Sequence, residues 1–376
     1  MIPFDWRMLG NMLRSTFSAE HFTVRHALIS VTFLLLTILF MIVILPFRIL
    51  DSLFFPSWRK TPVQAPIYIL ATPRSGTTFL HRMLCADDQF SWIKLYHTIF
   101  PSVILYKLFA GLGWLDSKIG SPFQRLIGML EGRAFKGWEG IHATGLSKSE
   151  EDEQYWVYTL MTPASLLLFP WLNKTADVRF VDHLEEPRRR KLGQYYLNNL
   201  QRHAYATGQQ HTLLAKNALA IGRLRTQMEV TPDMRVVHLV RHPYEAIASM
   251  ISMFTVPWKA HSPEKMSDPE YTGQIATLLI EYYRYMLELQ KELPADRYIE
   301  VRYENLIAEP KAVVERIYDQ FELPMSDDYA QWLDAEVNKS RQYKSSHSYS
   351  LADFGLDEAD IAREAADLFE HYGFAR

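Results

Sequence analysis

The sequence predicts an α/β protein, a three-layer sandwich with a mostly parallel central sheet, preceded by an N-terminal membrane helix. Three observations predict it. Short β-rich runs at residues 67–70, 211–215, 236–240 and 298–303 alternate with helical stretches, the order expected of a parallel sheet covered on both faces. The runs at 67–70 and 236–240 are almost wholly apolar, as strands buried on both sides are. Residues 27–47 carry no charged side chain, and about 20 such residues fill a bilayer core.

The elements follow in order. Residues 1–25 set Phe4, Trp6, Met8, Leu9, Met12 and Leu13 among Arg7 and Arg14, the pattern either of an amphipathic helix on a membrane surface or of a disordered lead-in. A transmembrane helix over 26–50 comes next, too long and too far from the start for a cleaved signal peptide. Arg7, Arg14 and Arg25 precede it, while Arg48, Arg59 and Lys60 follow, so flanking charge gives no orientation. A linker over 51–63 leads into one domain at 64–376. Within it, the apolar stretches 103–115 and 164–172 read either as core or lid helices or as walls of a lipid-facing groove.

The most informative stretch is 67–84. An apolar strand runs into the turn Thr72-Pro73-Arg74-Ser75-Gly76, and a helix follows with Phe79, Leu80, Met83 and Leu84 at helical spacing. Strand, glycine-containing turn and helix N-terminus aim free backbone N–H groups at one point, where an anion is held with help from the Thr77 and Thr78 hydroxyls. Compared with the nucleotide triphosphate loop, Thr77 stands where the lysine belongs, and the cation lies inside the turn at Arg74. That suits a 5′-phosphate carrying one small extra anionic group better than a triphosphate with its metal.

A second anion site is expected at 235–249. The strand ends at Arg241, Pro243 opens the next helix, and Ser249 lies two turns along. An ATP or GTP enzyme often holds a metal-supporting Asp at this strand end; an arginine there needs an anion and fits a second phosphate. Arg74, Lys216, Arg241 and Tyr303 all fall near predicted strand ends, where ligands of parallel sheets sit. The acids Glu150-Glu151-Asp152-Glu153 read as the first turn of a helix, complementing its dipole.

Composition narrows the partners. A formal net charge of −3 excludes a general nucleic-acid binder. The single cysteine, Cys85, excludes an intrachain disulfide, favours a reducing compartment and reads as a packed thiol.

Thr72-Pro73-Arg74-Ser75-Gly76-Thr77-Thr78-Phe79-Leu80 resembles the 5′-phosphosulfate loop of sulfotransferases that use 3′-phosphoadenosine-5′-phosphosulfate (PAPS). Val240-Arg241-His242-Pro243 through Ser249 resembles their 3′-phosphate motif, and Arg302-Tyr303-Glu304-Asn305-Leu306 the tyrosine-containing segment near the adenosine. Lys216-Asn217 is similar to the lysine motif of tyrosylprotein sulfotransferases and bacterial relatives, as are Ser346-His347-Ser348-Tyr349 and Phe354-Gly355-Leu356 to their C-terminal segment. The resemblance covers about 64–376 and implies a P-loop-like sulfotransferase fold, PAPS as co-substrate and no metal. It assigns Ser75, Gly76, Thr77 and Thr78 to the phosphosulfate, Arg74 and Lys216 to charge on the transferred group, Arg241 and Ser249 to the 3′-phosphate, and Phe79 and Tyr303 to the adenosine.

Relatives take their general base from the region after the first helix. Here that region offers Lys94, Tyr96 and His97, and His97 alone has a reference pKa suited to a hydroxyl proton, with Glu151 and Asp152 in reserve. The expected function is membrane-anchored sulfonate transfer to a hydroxyl or amine acceptor, a small molecule or a lipid. The competing readings are a kinase or NTPase with an atypical loop and a non-catalytic scaffold of the same fold. Donor supply turns the domain to the cytosol in a bacterium or to the Golgi lumen in a eukaryote, and the cysteine count favours the former.

Overall fold

The computed structural model describes residues 2–72, 75–134, 145–146, 148–171, 175, 177–208, 211–340 and 349–375. Strands β1 (Ile67–Ala71), β2 (Phe90–Trp92), β3 (Thr212–Asn217), β4 (Arg235–Val240) and β5 (Tyr298–Arg302) pair in the order β2-β3-β1-β4-β5. Every pair is parallel. The register sets Ile69 beside Lys216, Ala71 beside Leu239 and Val240 beside Arg302, so the carboxyl ends of β3, β1, β4 and β5 stand side by side.

Before β3 the chain forms α1 (Trp6–Thr16), α2 (Val24–Phe54), α3 (Thr77–Leu84), α4 (Leu95–Ile99), α5 (Val103–Lys118), α6 (Pro122–Ala134), α7 (Glu153–Val157) and α8 (Glu186–Thr207). After it come α9 (Leu224–Val230), α10 (Pro243–His261), α11 (Pro269–Leu289), α12 (Tyr303–Ala308), α13 (Pro310–Gln320), α14 (Asp327–Ser340), α15 (Glu358–Glu364) and α16 (Ala366–Tyr372).

Strand alternation builds the three layers. Tyr68, Leu70, Leu213, Ala215 and Val236 face one apolar layer with Leu192 and Leu200 of α8, Ile247 of α10 and Leu279 of α11. Ile67, Ile69, Leu214, Val237 and Val301 face the other, with Leu80 of α3, Val314 of α13 and Leu333 of α14. Each buried Leu, Ile or Val side chain among them contributes roughly 1.5–3 kcal/mol by leaving water, which is why both faces need cover.

Three local expectations change on inspection. The first 25 residues include a docked helix: Met8 and Met12 enter the core, Asp5 caps α1 through Met8 N at 2.7 Å, and Asp5 pairs with Arg188. Residues 358–372, whose sequence reads as one closing helix, break at Ala365 into α15 and α16. The acidic cluster does more than start a helix, because α7 is one short turn and Glu150 and Asp152 are buried.

Among the described residues one helix, α2, is long and apolar enough to cross a membrane. Thr23 caps it, accepting from His26 N at 3.1 Å, and its face from His26 to Asp51 packs on the domain.

Candidate active site

The loop after β1 shows why its residue types are needed. Gly76 adopts φ 86°, a left-handed conformation that side chains other than glycine rarely take. A Cβ there would lie 2.9 Å from Leu306 Cδ2 and 3.3 Å from Tyr303 Cδ2, so the start of α12 lies directly on the loop. Ser75 and Thr77 are buried, while Thr78 is exposed at the first turn of α3. Phe79 is half-buried beside the α3 core residues, with the Arg82 guanidinium 5.8 Å from its ring centre. Arg74 lies outside the described residues, as does the Ser346-His347-Ser348 part of the tail motif.

Lys216, on the neighbouring strand end, comes to the same loop. Its side chain is buried, and Nζ donates to Thr78 Oγ1 at 3.2 Å and lies 3.7 Å from Glu151 Oε1. Asn217, the next residue, donates to Asp152 and, at 2.7 Å, to Glu153 Oε2; Arg223 also pairs with Glu153. Tyr196 donates to Asp152 from the other side. Burial pushes the Asp152 carboxyl up to about 6, against the opposing pull of Arg223 and of these donors. The acids at 151–153 therefore hold the end of β3 in place, and Glu151 is the carboxylate that stands next to Lys216.

Across β1, Arg241 leaves the end of β4. Its Nε donates to Glu245 Oε2 at 2.8 Å, and its guanidinium lies 4.3 Å from the centre of the Tyr303 ring. Glu245 and Ser249 lie four residues apart on α10 and so share one helix face, with Ser249 buried. The two anion sites are mechanically joined. Tyr283 of α11 donates to the Arg241 carbonyl at 2.6 Å and sits 3.5 Å from Thr72 Oγ1, which in turn is 2.8 Å from Ser75 Oγ. Sequence reasoning missed Tyr283, because one of several tyrosines in a mostly buried helix carries no motif. It missed His81 similarly: burial, then the charge of Lys216, push that imidazole down to about 3.

His97 lies in α4, whose entry at 93–96 is hydrogen-bonded to residues 146–150, the stretch just before Glu151. His97 is buried, its Nδ1 accepts from Lys94 N at 3.2 Å, and its ring packs against Tyr96, Tyr106 and His203. Burial first, then His203 and Lys94, push its pKa well below the ordinary value. The structure brings Ser75, Gly76, Thr77, Thr78, Lys216, Arg241 and Tyr303 to one sheet edge, with His97 on the helix α4 that packs beside α7.

Comparison with known proteins bears on the family and the fold. The model of the sulfotransferase family matches residues 142–327, a span that contains Lys216, Arg241, Ser249 and Tyr303 and begins after the Gly76 loop. The omega-hydroxy-beta-dihydromenaquinone-9 sulfotransferase Stf3 of Mycobacterium bovis is 24% identical over 316 residues, 83% of this chain and 76% of that protein. The Mycobacterium tuberculosis protein of the same name matches to the same extent. Among solved structures, sulfotransferase STF1 of Mycobacterium tuberculosis superimposes with a TM-score of 0.68 at 20% identity, over 96% of this chain and 91% of that one. Sulfotransferase STF9 of Mycobacterium avium gives 0.68 at 16% identity, over 85% and 80%. At these identities the superpositions speak for the fold.

Proposed function

This chain belongs to the sulfotransferase family and takes its sulfonate from PAPS, and on that premise we propose that it delivers the sulfonate to a hydroxyl of a lipid-like acceptor. The observation that carries the site assignment is the row of adjacent strand ends β3-β1-β4-β5, bearing in turn Lys216, the Gly76 loop, Arg241 and Tyr303. The loop amides with Ser75, Thr77 and Thr78 grip the 5′-phosphosulfate, and Arg241 and Ser249 the 3′-phosphate. Arg241 exchanges Glu245 for that phosphate. Tyr303 and Phe79 flank the adenosine.

In the transfer, the acceptor oxygen bonds to sulfur while the bond from sulfur to the bridging oxygen breaks, and adenosine 3′,5′-bisphosphate leaves. Lys216 and Arg74 stabilise the charge that gathers on the leaving oxygen and the sulfonate. Glu151, beside Lys216, takes the hydroxyl proton in place of the enclosed His97. The Stf3 relatives are named for an omega-hydroxylated dihydromenaquinone, which supports an acceptor that offers a hydroxyl on an apolar body. The apolar helix α2 attaches the enzyme to the membrane, with the catalytic domain facing the cytosol.

Calorimetry with adenosine 3′,5′-bisphosphate tests the donor site. Tight binding without added metal is expected, and binding of ATP with magnesium instead would overturn it. For the base, Glu151→Gln is expected to abolish transfer to a long-chain alcohol while bisphosphate binding persists, and His97→Gln to retain transfer. The opposite pair of results returns the role to His97.

A further inference from the structure

The outward faces of α2, α5 and α6 are apolar and open. On α2, Leu28, Leu35, Leu39, Ile42, Ile49 and Leu53 are exposed at intervals of three, four and seven residues, one continuous stripe. On α5 and α6, Leu112, Leu115, Leu126 and Leu130 are exposed as well, with Trp114 at 61% and Phe123 at 64%. Soluble monomers rarely leave apolar patches beyond several hundred Å² uncovered.

The exposed charges on this face have one sign. Residues 27–60 and 95–134 hold three carboxylates: Asp51 and Asp116 are turned inward to cap helices, and Glu131, half-buried near the end of α6, accepts from Leu146 N. Asp51 accepts from Ser102 Oγ at 2.9 Å and Ile104 N at 3.0 Å at the start of α5; Asp116 accepts from Phe123 N and Gln124 N, both at 2.9 Å, at the start of α6. The exposed charges are Arg59, Lys60, Lys107, Lys118 and Arg125. Lys118 Nζ lies 5.5 Å from the Trp114 ring centre and Lys107 Nζ 5.7 Å from that of Phe55, cation–aromatic pairs suited to the headgroup zone. An apolar surface whose exposed charges are cations complements an anionic bilayer.

α2 is tied to the same domain at both ends. His26 Nε2 lies 2.7 Å from the Leu168 carbonyl, whereas Arg48 donates to Pro101 O at 2.8 Å and Asn199 Oδ1 at 2.7 Å, and Asp51 pairs with Arg202. From His26 to Asp51 the helix runs roughly 37 Å, longer than the ~30 Å hydrocarbon core. A crossing would drag the packed domain through the bilayer. We propose that α2, α5 and α6 form one face that embeds in a single leaflet of an anionic membrane, with α2 lying along the surface instead of spanning it. The embedded hairpin also connects to the site. Glu131 of α6 accepts from Leu146 N at 2.7 Å, and the following segment, which carries Glu151, is bonded to 93–96 through Glu150 N to Ile93 O at 2.9 Å.

This extends the reading of a lipid-like acceptor, but vesicle binding is measured without turnover, so either can fail alone. With full-length protein, sedimentation with phosphatidylcholine–phosphatidylglycerol vesicles is expected to fall at least about tenfold for Leu112→Asp/Leu126→Asp, whose thermal unfolding should match wild type. Lys118→Glu/Arg125→Glu should lose binding to anionic vesicles but not to phosphatidylcholine alone. In a Cys85→Ser background carrying Arg7→Cys and Lys60→Cys, an impermeant maleimide should label both cysteines of the same chain from one side. Labelling of only one per chain, unchanged vesicle binding by the aspartate variant, or a wild-type dimer dissociated by that variant with no vesicle binding would each overturn the proposal.

Discussion

The rim of strand ends and the outer face of α2, α5 and α6 solve opposite problems. At the rim, polar side chains converge from distant parts of the chain and satisfy one another: Lys216 with Glu151 and Thr78, Arg241 with Glu245, Thr72 with Ser75. On the outer face, apolar side chains diverge, and the carboxylates beneath them are used up in capping. The rim is built before a ligand arrives and holds charge in a fixed geometry, which is what group transfer asks of it. The face is incomplete in water and gains its partner from outside. One region is specific because it is preorganised, the other because it is unsatisfied.

Substitutions at the rim should therefore act on chemistry or donor binding, and the largest effect is expected at Lys216. Lys216→Ala should lower turnover by about 100-fold or more, while affinity for adenosine 3′,5′-bisphosphate changes by less than roughly tenfold; single-turnover kinetics beside calorimetry separate the two. Equal losses in both would mean that Lys216 only holds the nucleotide. Gly76→Ala should forfeit donor binding and roughly 1–3 kcal/mol of stability in denaturant titration, since it meets both the left-handed φ and the Leu306 contact. Arg241→Ala should weaken bisphosphate binding by about 10- to 100-fold, with vesicle binding unaltered.

A smaller effect sharpens the boundary between the regions, where His97 meets His203. Burial pushes His203 down to about 4, and neither of its ring nitrogens has a hydrogen-bond partner among the described residues. His81 and His238 are likewise held down, each to about 3. Their unfolded forms take a proton near 6.5, so the stability they contribute is complete above that pH and is lost as pH falls towards their folded values. Asp152, raised to about 6, works in the opposite sense, gaining stability as pH falls from there to its ordinary 3.8, as do Asp182 and Glu300, which burial also raises, but His97 and His261 are held down along with the other three histidines. Denaturation midpoints should thus fall below pH 6.5, and His203→Gln should remove on the order of 1–2 kcal/mol of that loss by pH 5. The smallest effect is expected of Glu245→Gln, which frees Arg241 from its competitor and should tighten bisphosphate binding a few-fold by calorimetry.

The sequence made the sheet legible because its strands are short apolar runs ending in residues that a parallel sheet has no structural use for. Lys216, Arg241 and Tyr303 stood out for that reason, and all three lie at strand ends. The base we propose was not legible in the same way. His97 has the right intrinsic pKa but sits in a short helix whose neighbours are aromatic, and only packing reveals that they close around it. Glu151 was hidden in a run of acids that looks like ordinary helix-start charge; its partner Lys216 lies 65 residues on in sequence. Tyr283 and the docking of α2 depend on which side of a helix meets the sheet, and a uniformly apolar or aromatic stretch does not encode that.

Asp51 has a practical consequence for anyone wishing to handle the enzyme without detergent. Expressing a fragment that begins at the first strand would discard Asp51, Arg48 and Trp58 together. Arg202, whose guanidinium is buried and lies 3.7 Å from the Trp58 ring centre, would then lose its carboxylate, at a cost of roughly 3–5 kcal/mol if it stayed enclosed. The start of α5 would lose its cap in the same cut. The greasy leader is thus a structural part of the enzyme, and surface charges placed on its outer stripe are a better route to solubility than its removal.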